Sequence, residues 1–304
     1  MVFNMTESAA REGVRNGHMP DQIYTSHPDE SKHDRMPSRI LATSIRAHSL
    51  RMTHNAHSSH IGSCLSMADI LAVLYARVLR VDPADPNWSS RDRFILSKGH
   101  GAAALYAVLS EIGFYPTELL ETFCEDGSPF IGHVNSHGVP GVEYSTGSLG
   151  HGLPVACGMA IHAQRTRAPH RVYVLLSDGE LDEGSNWEAA LFAHHHGLDN
   201  LVAVIDYNKI QSFGRVEEVM QLEPLAQKWA AFGWGVEEID GHDHRALSDS
   251  FRKIPFQPDK PTVIVAHTIK GKGVSFMEDR LEWHYRSPDD DQLARALAEI
   301  GAKP

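Results

Sequence analysis

The segment SDGELDEG, residues 177–184, follows directly on the apolar run VYVLL and concentrates four carboxylates and two glycines. A plain turn needs one Asp and one Gly, so the remaining acid calls for a cation to bind or a proton to handle. Thirty residues beyond Asp178, a second apolar run empties into DYNKIQSFG, which carries Asn208. An Asp carboxylate, an Asn amide oxygen and a backbone carbonyl are a fitting protein share for Mg²⁺, which takes its other oxygens from water and a substrate phosphate. Gly179 would let the backbone approach a diphosphate closely. Taken singly, Asp-Gly and Asn-Lys after strands read equally well as ordinary turns. Their joint arrangement is what points to a cation site.

Both segments are placed by the elements before them. Residues 93–97, 172–176, 201–206, 235–239 and 262–267 read as strands, separated by helical patterns over residues 186–196, 222–232 and 244–253. Strands that are apolar throughout and alternate with helices predict an α/β fold, a doubly wound parallel sheet with helices on both faces. In such a sheet ligands lie beyond the carboxyl ends of the strands, where Asp178 and Asn208 stand. Further helices are expected over SRILATSIRAHSLRM, over SMADILAVLYARVL with a Ser66–Asp69 capping box, over GAAALYAVLSEIG and around residues 155–163. A last helix is expected with Ser287 as cap and Pro288 in its first position. No GxGxxG follows the first strand, so a nicotinamide-binding domain gets little support.

The totals narrow the class. With 304 residues, 42% of them hydrophobic, the chain can bury a large core, and a formal charge of −11 argues against a nucleic-acid partner. Cys64, Cys124 and Cys157 are too few and scattered for a zinc site or disulfide framework, and fit a reducing cytoplasm. No apolar run is expected to reach the roughly 18 residues of a membrane span. Residues 1–36 are polar and aperiodic and read as a loosely ordered tail, with one domain over residues 37–304.

SSHIGSCLSMADILAVLY, DRFILSKGHGAAALYA, PGVEYSTGSLGHGLPVACGMA, LSDGELDEGSNWEAALFAHHHGLDNLVAVIDYNKIQ and VIVAHTIKGKGVSFMEDRLEWH resemble, in order, blocks of the transketolase family. The resemblance runs from about residue 38 to 300 and covers only the N-terminal, diphosphate-binding (PP-type) half of a full transketolase. It implies a thiamine diphosphate-binding fold and the N-terminal subunit of a split enzyme. Such a subunit would bind Mg²⁺ and thiamine diphosphate and transfer a two-carbon ketol unit from a ketose to an aldehyde acceptor. The expected partner is a subunit carrying the pyrimidine-binding and C-terminal domains, in a cytoplasmic heterotetramer, and the expected substrate is a sugar or sugar phosphate.

The resemblance also implies site residues. Asp178, Asn208 and the carbonyl of Ile210 would hold Mg²⁺. Gly179, Asn208, His100 and His284 would touch the diphosphate, and the backbone of Gly147, Ser148 and Leu149 would face the aminopyrimidine. His60, His133 and His284 would line the substrate channel, where imidazoles suit proton transfer near neutral pH; His137 is an alternative to His133. Glu183 and Glu188 match two family glutamates at the subunit interface, although Ser185 and Glu188 also spell a capping box. Glu180 and Asp182 are left as solvated loop charges, and His194, His195 and His196 as surface residues.

The chain departs from the family pattern at Ser177 and Ile61, which replace a glycine and a proline, and at Ser148 and His151, which replace Pro and Gln. GHVNSHGV is less like the usual GHPE around His133, and KIQSFG replaces a run that often holds an Asp. Two other readings stay open. One is a related thiamine diphosphate enzyme, resembling 1-deoxy-xylulose-phosphate synthase or catalysing a specialised acyloin or ketol transfer. The other is a non-catalytic subunit that keeps the fold as a binding platform.

Overall fold

Five strands form one parallel sheet: β1 (Arg93–Leu96), β2 (Val172–Ser177), β3 (Leu201–Tyr207), β4 (Gly235–Asp240) and β5 (Thr262–His267), in the order β1-β2-β3-β5-β4. Each lies within a residue or so of its expected place. They come from a computed structural model that describes residues 36–303, so the expected tail, apart from Met36, lies outside the described residues.

Every position of β2 and β3 is buried, as the unbroken apolar runs require, whereas the edge strand β4 is only partly covered. The helices are α1 (Ser38–Asn55), α2 (Ile61–Val73), α3 (Ala102–Glu111), α4 (Gly152–Thr166), α5 (Gly184–His195), α6 (Val216–Val219), α7 (Leu225–Ala231), α8 (His244–Arg252) and α9 (Asp290–Glu299). Strand side chains alternate between two apolar clusters. Tyr173, Leu175, Val202 and Val204 pack with α1, α2, α3 and α8, while Val172, Val174, Leu176, Ala203 and Ile205 pack with α4, α5 and α7. This is the doubly wound arrangement.

Register then sets the site. Ser177 pairs with Asp206, so β2 and β3 end almost level and release Asp178 and Asn208 side by side.

Four local expectations are corrected. First, α2 begins at Ile61, five residues before Ser66, because His60 adopts a left-handed φ of 77° and its carbonyl accepts from Ser63 and Cys64. Ser66 and Asp69 are therefore buried mid-helix and form no capping box. Ser66 Oγ donates to Asp206 at 2.6 Å, and Asp69 receives Arg46, His242 and His244.

Second, the helical stretch Ile61–Val78 is 18 residues long and apolar enough to cross a membrane by length and composition, against the expectation that no run would be. It is 89% buried within the fold, as a core helix is.

Third, α9 is capped by Asp289 with Gln292 in a reciprocal capping box, not by Ser287. Fourth, α5 starts at Gly184 without a side-chain cap; Ser185 Oγ donates instead to the Gly150 carbonyl, so Ser185 and Glu188 make no capping box.

Candidate active site

Asp178 and Asn208 are both buried at the strand ends. Asp178 Oδ1 accepts from Gly179 N at 2.7 Å and Oδ2 from Lys209 N at 2.5 Å, while Asn208 Oδ1 accepts from Ile210 N at 3.2 Å. Lys209, between the two, holds a left-handed φ of 70°. Burial, reinforced by the nearby Asp206 carboxylate, pushes the Asp178 carboxyl up to about 6. A buried carboxylate raised this way is one that a bound cation would stabilise.

Beside it lies the buried Gln211 side chain, its amide turned toward the Asp182 carboxylate. A Cβ on Gly179 would come within 3.0 Å of the Gln211 side chain, so the bare backbone at 179 keeps the space between them open. A carboxylate raised by burial and an uncovered glycine backbone fit a metal–diphosphate group. Asp178, Asn208 and the Ile210 carbonyl would hold the metal, and Gly179 would face the diphosphate.

Four histidines from four segments converge near these groups. The His60 ring lies 4.9 Å from His284, 5.2 Å from His100 and 5.9 Å from His133, and His100 lies 6.0 Å from His284. The backbone N–H of His60 donates to the His284 carbonyl at 2.9 Å, tying the start of α2 to the 281–284 turn. It is His133, at the exposed rim, that joins this cluster; His137 is also exposed and offers its carbonyl to Asn135. His133 is held by Tyr106, whose hydroxyl donates to its carbonyl at 2.9 Å, and a Cβ on Gly147 would press on its ring at 3.3 Å.

Burial lowers His60 to about 4, helped by the positive electrostatics of His133 and Lys270. Burial and Lys270 lower His284 to about 3, and burial with Lys98 holds His100 well below the usual imidazole range. These three imidazoles are neutral at pH 7 and available as bases and donors.

Three charged residues at the site were not singled out from the sequence. Lys98, two residues beyond β1, pairs with Asp206 at 2.5 Å, and both side chains are wholly buried. Burial pushes the Asp206 carboxyl up, but the Lys98 charge, with hydrogen bonds from Lys98, Ser66 and Thr268, brings it below its ordinary value. Lys270 Nζ donates to the Ile210 carbonyl at 2.9 Å and lies 3.0 Å from His284 Nδ1; burial lowers its pKa to about 8. The available signal was a charged residue at the mouth of an apolar strand, in LSKGH, VIDYN and AHTIKGKG.

Glu180 is also corrected. It is not a solvated charge but fully buried, accepting from Gly150 N, Ser97 Oγ and Ser177 N. Asp182, Glu183 and Glu188 are exposed, as are His194, His195 and His196. Ser148 is exposed and Leu149 partly so, next to Gly147.

This arrangement matches known proteins. Residues 38–304 match the family model described as the thiamine diphosphate-binding domain of transketolase. A subunit of the apulose-4-phosphate transketolase of Actinobacillus succinogenes is 47% identical over 250 residues, covering 81% of this chain and 90% of that one. The 6-deoxy-6-sulfo-D-fructose transketolase subunit SqwG of a Clostridium species is 43% identical, covering 79% and 88%. The transketolase structure from Leishmania mexicana superposes with a TM-score of 0.85 at 31% identity; it covers 89% of this chain, which spans only 42% of that enzyme. The chain belongs to the transketolase family, as its thiamine diphosphate-binding domain.

Proposed function

We propose that this chain is the diphosphate-binding subunit of a two-component transketolase, binding thiamine diphosphate through Mg²⁺ and moving a two-carbon ketol unit from a ketose to an aldehyde acceptor. The observation that carries this reading is the convergence of four imidazoles beside a paired Asp178–Asn208 strand-end site. Relatives of similar length are named as transketolase subunits, and whole transketolases are more than twice as long. The naming of these relatives as subunits supports a partner chain that would carry the pyrimidine-binding and C-terminal parts, and two copies of each would give a symmetric heterotetramer.

Bound thiamine diphosphate supplies the electron sink of the reaction. This chain supplies position and protons. Asp178, Asn208 and the Ile210 carbonyl hold the metal, and Gly179 lets the backbone approach the diphosphate. The Lys270 ammonium has only donors, so His284 Nδ1 accepts from it and the remaining ring proton sits on Nε2. His60 and His100, kept neutral by burial and by neighbouring positive charge, accept a proton from a donor hydroxyl or return one to the acceptor, with His133 beside them at the rim.

The test is reconstitution. The purified chain alone should show no ketol transfer, and addition of the partner subunit with Mg²⁺ and thiamine diphosphate should restore it. Full turnover by the chain alone would overturn the two-component reading.

A further inference from the structure

The loop after β2 does more than offer Asp178. Glu180 Oε1 accepts from Gly150 N at 3.0 Å and from the Ser97 hydroxyl, and Oε2 accepts from Ser177 N at 3.2 Å. Ser97 Oγ donates to Glu180, since an ionised carboxylate only accepts, and itself accepts from Gly152 N at 3.1 Å. Three donors from three segments therefore meet on one carboxylate. On the other side of the same glycine, Ser185 Oγ donates to the Gly150 carbonyl at 2.7 Å. Both backbone polar groups of Gly150 are thus taken by side chains of SDGELDEGS.

The fit is tight. Gly150 has φ of +79°, and a Cβ there would strike Ser185 Oγ at 2.5 Å and Glu183 Cβ at 2.6 Å, while one on Gly152 would strike Ser97 Oγ at 2.2 Å.

We propose that Glu180 and Ser185 are positioning residues that clamp Gly150 and so fix the adjoining backbone of Gly147, Ser148 and Leu149 relative to the metal-bearing strand end. The proposal rests on the function above, in which Asp178 holds the diphosphate end and residues 147–149 face the ring. The segment that receives the diphosphate is thereby bolted to the segment that receives the ring, with Ser177 and Gly150 hanging on one carboxylate. The cofactor's two ends meet a prealigned site instead of ordering two independent loops on binding, which lowers the cost of association.

Glu180→Gln tests this in the full chain. A glutamine has one acceptor oxygen, so it cannot accept from both the Gly150 side and the Ser177 side, and either orientation breaks the bridge between the two segments. Amide exchange over residues 147–152 should then accelerate about tenfold, the effect of losing one hydrogen bond to a charged acceptor, while β2 and β3 stay protected. With Mg²⁺ present, affinity for thiamine diphosphate should fall about tenfold while affinity for inorganic pyrophosphate, which reaches only the Asp178 end, stays unchanged.

Unchanged exchange at 147–152, or an equal loss for both ligands, would overturn the clamp. A wild-type chain that binds neither ligand would instead count against the proposed function, and the exchange measurement would still decide the clamp. If Glu180→Gln does not fold, Ser185→Ala removes only the carbonyl side of the clasp. It should produce the same local acceleration, and an unaltered exchange profile there would sink the proposal.

Discussion

Lys270 Nζ bridges the Ile210 carbonyl, at 2.9 Å, and His284 Nδ1, at 3.0 Å. One buried ammonium thus connects the expected metal loop to the expected substrate channel. Room for it is made at Gly62, where a Cβ would press on Lys270 Cγ at 3.1 Å and on the Trp283 carbonyl at 3.2 Å.

Replacing Lys270 with Met should leave His284 without its donor and free to adopt either tautomer. Turnover of the reconstituted enzyme is expected to fall about 100-fold or more, the scale of general acid–base effects. Thermal stability should hold or rise, since a desolvated charge is removed. Nitrogen NMR of His284 should report the change, from Nε2–H alone in the wild type to a tautomer mixture. A variant with unaltered His284 shifts and normal turnover would remove Lys270 from the mechanism.

Asp178→Ala removes the raised carboxylate of the cation site. Mg²⁺-dependent affinity for thiamine diphosphate should fall by about 100-fold or more, at the upper end of the losses seen even for outer partners of metal ligands. The fold should persist, because Asp178 makes hydrogen bonds only to backbone N–H groups of its own and the neighbouring loop. Calorimetry with and without Mg²⁺ checks this, and an unchanged affinity would place the metal elsewhere.

The strands and the Asp178–Asn208 pair were legible because they depend on local pattern: unbroken apolar runs, and polar residues just past them. Glu180 was not. Its burial depends on Ser97, which precedes it by 83 residues, and on Gly150, which precedes it by 30, and no spacing rule announces such meetings. Ser66 and Asp69 misled for the opposite reason. Their spacing satisfies a capping rule, but the left-handed φ of His60 starts the helix earlier and turns both side chains inward, onto Asp206 and onto Arg46 with two histidines. The histidine cluster came from the family blocks and not from periodicity, since its members come from four separate segments.

The Lys98–Asp206 pair gives a stability prediction. Both side chains are wholly buried, and Asp206 also accepts from Ser66 and Thr268. Asp206→Leu would leave the Lys98 charge buried and unpaired, a loss of about 3–5 kcal/mol. Lys98→Met combined with Asp206→Leu should recover much of it, because the desolvation cost of both charges disappears together. Chemical denaturation of the single and double variants measures the difference, and additive losses would show that the pair is not coupled.

The depressed imidazoles set the response to acid. His60 is lowered to about 4 and His284 to about 3, each by burial first and then by nearby positive groups, from an ordinary value of 6.5. In the unfolded chain both bind protons once the pH drops below about 6.5, while in the folded chain they resist until the pH nears 4 or below. The unfolded state therefore holds more protons in this window, so stability is fully present above 6.5 and declines as pH falls toward the folded values. His60→Ala should make this decline shallower, because one of the resisting groups is gone, while lowering turnover at pH 7.5 far more than it lowers the melting temperature there. Melting curves from pH 7.5 to 4.5 on the wild type and variant decide the matter. Parallel curves would mean that His60 titrates alike in both states, and that its neutral form is not enforced by the site.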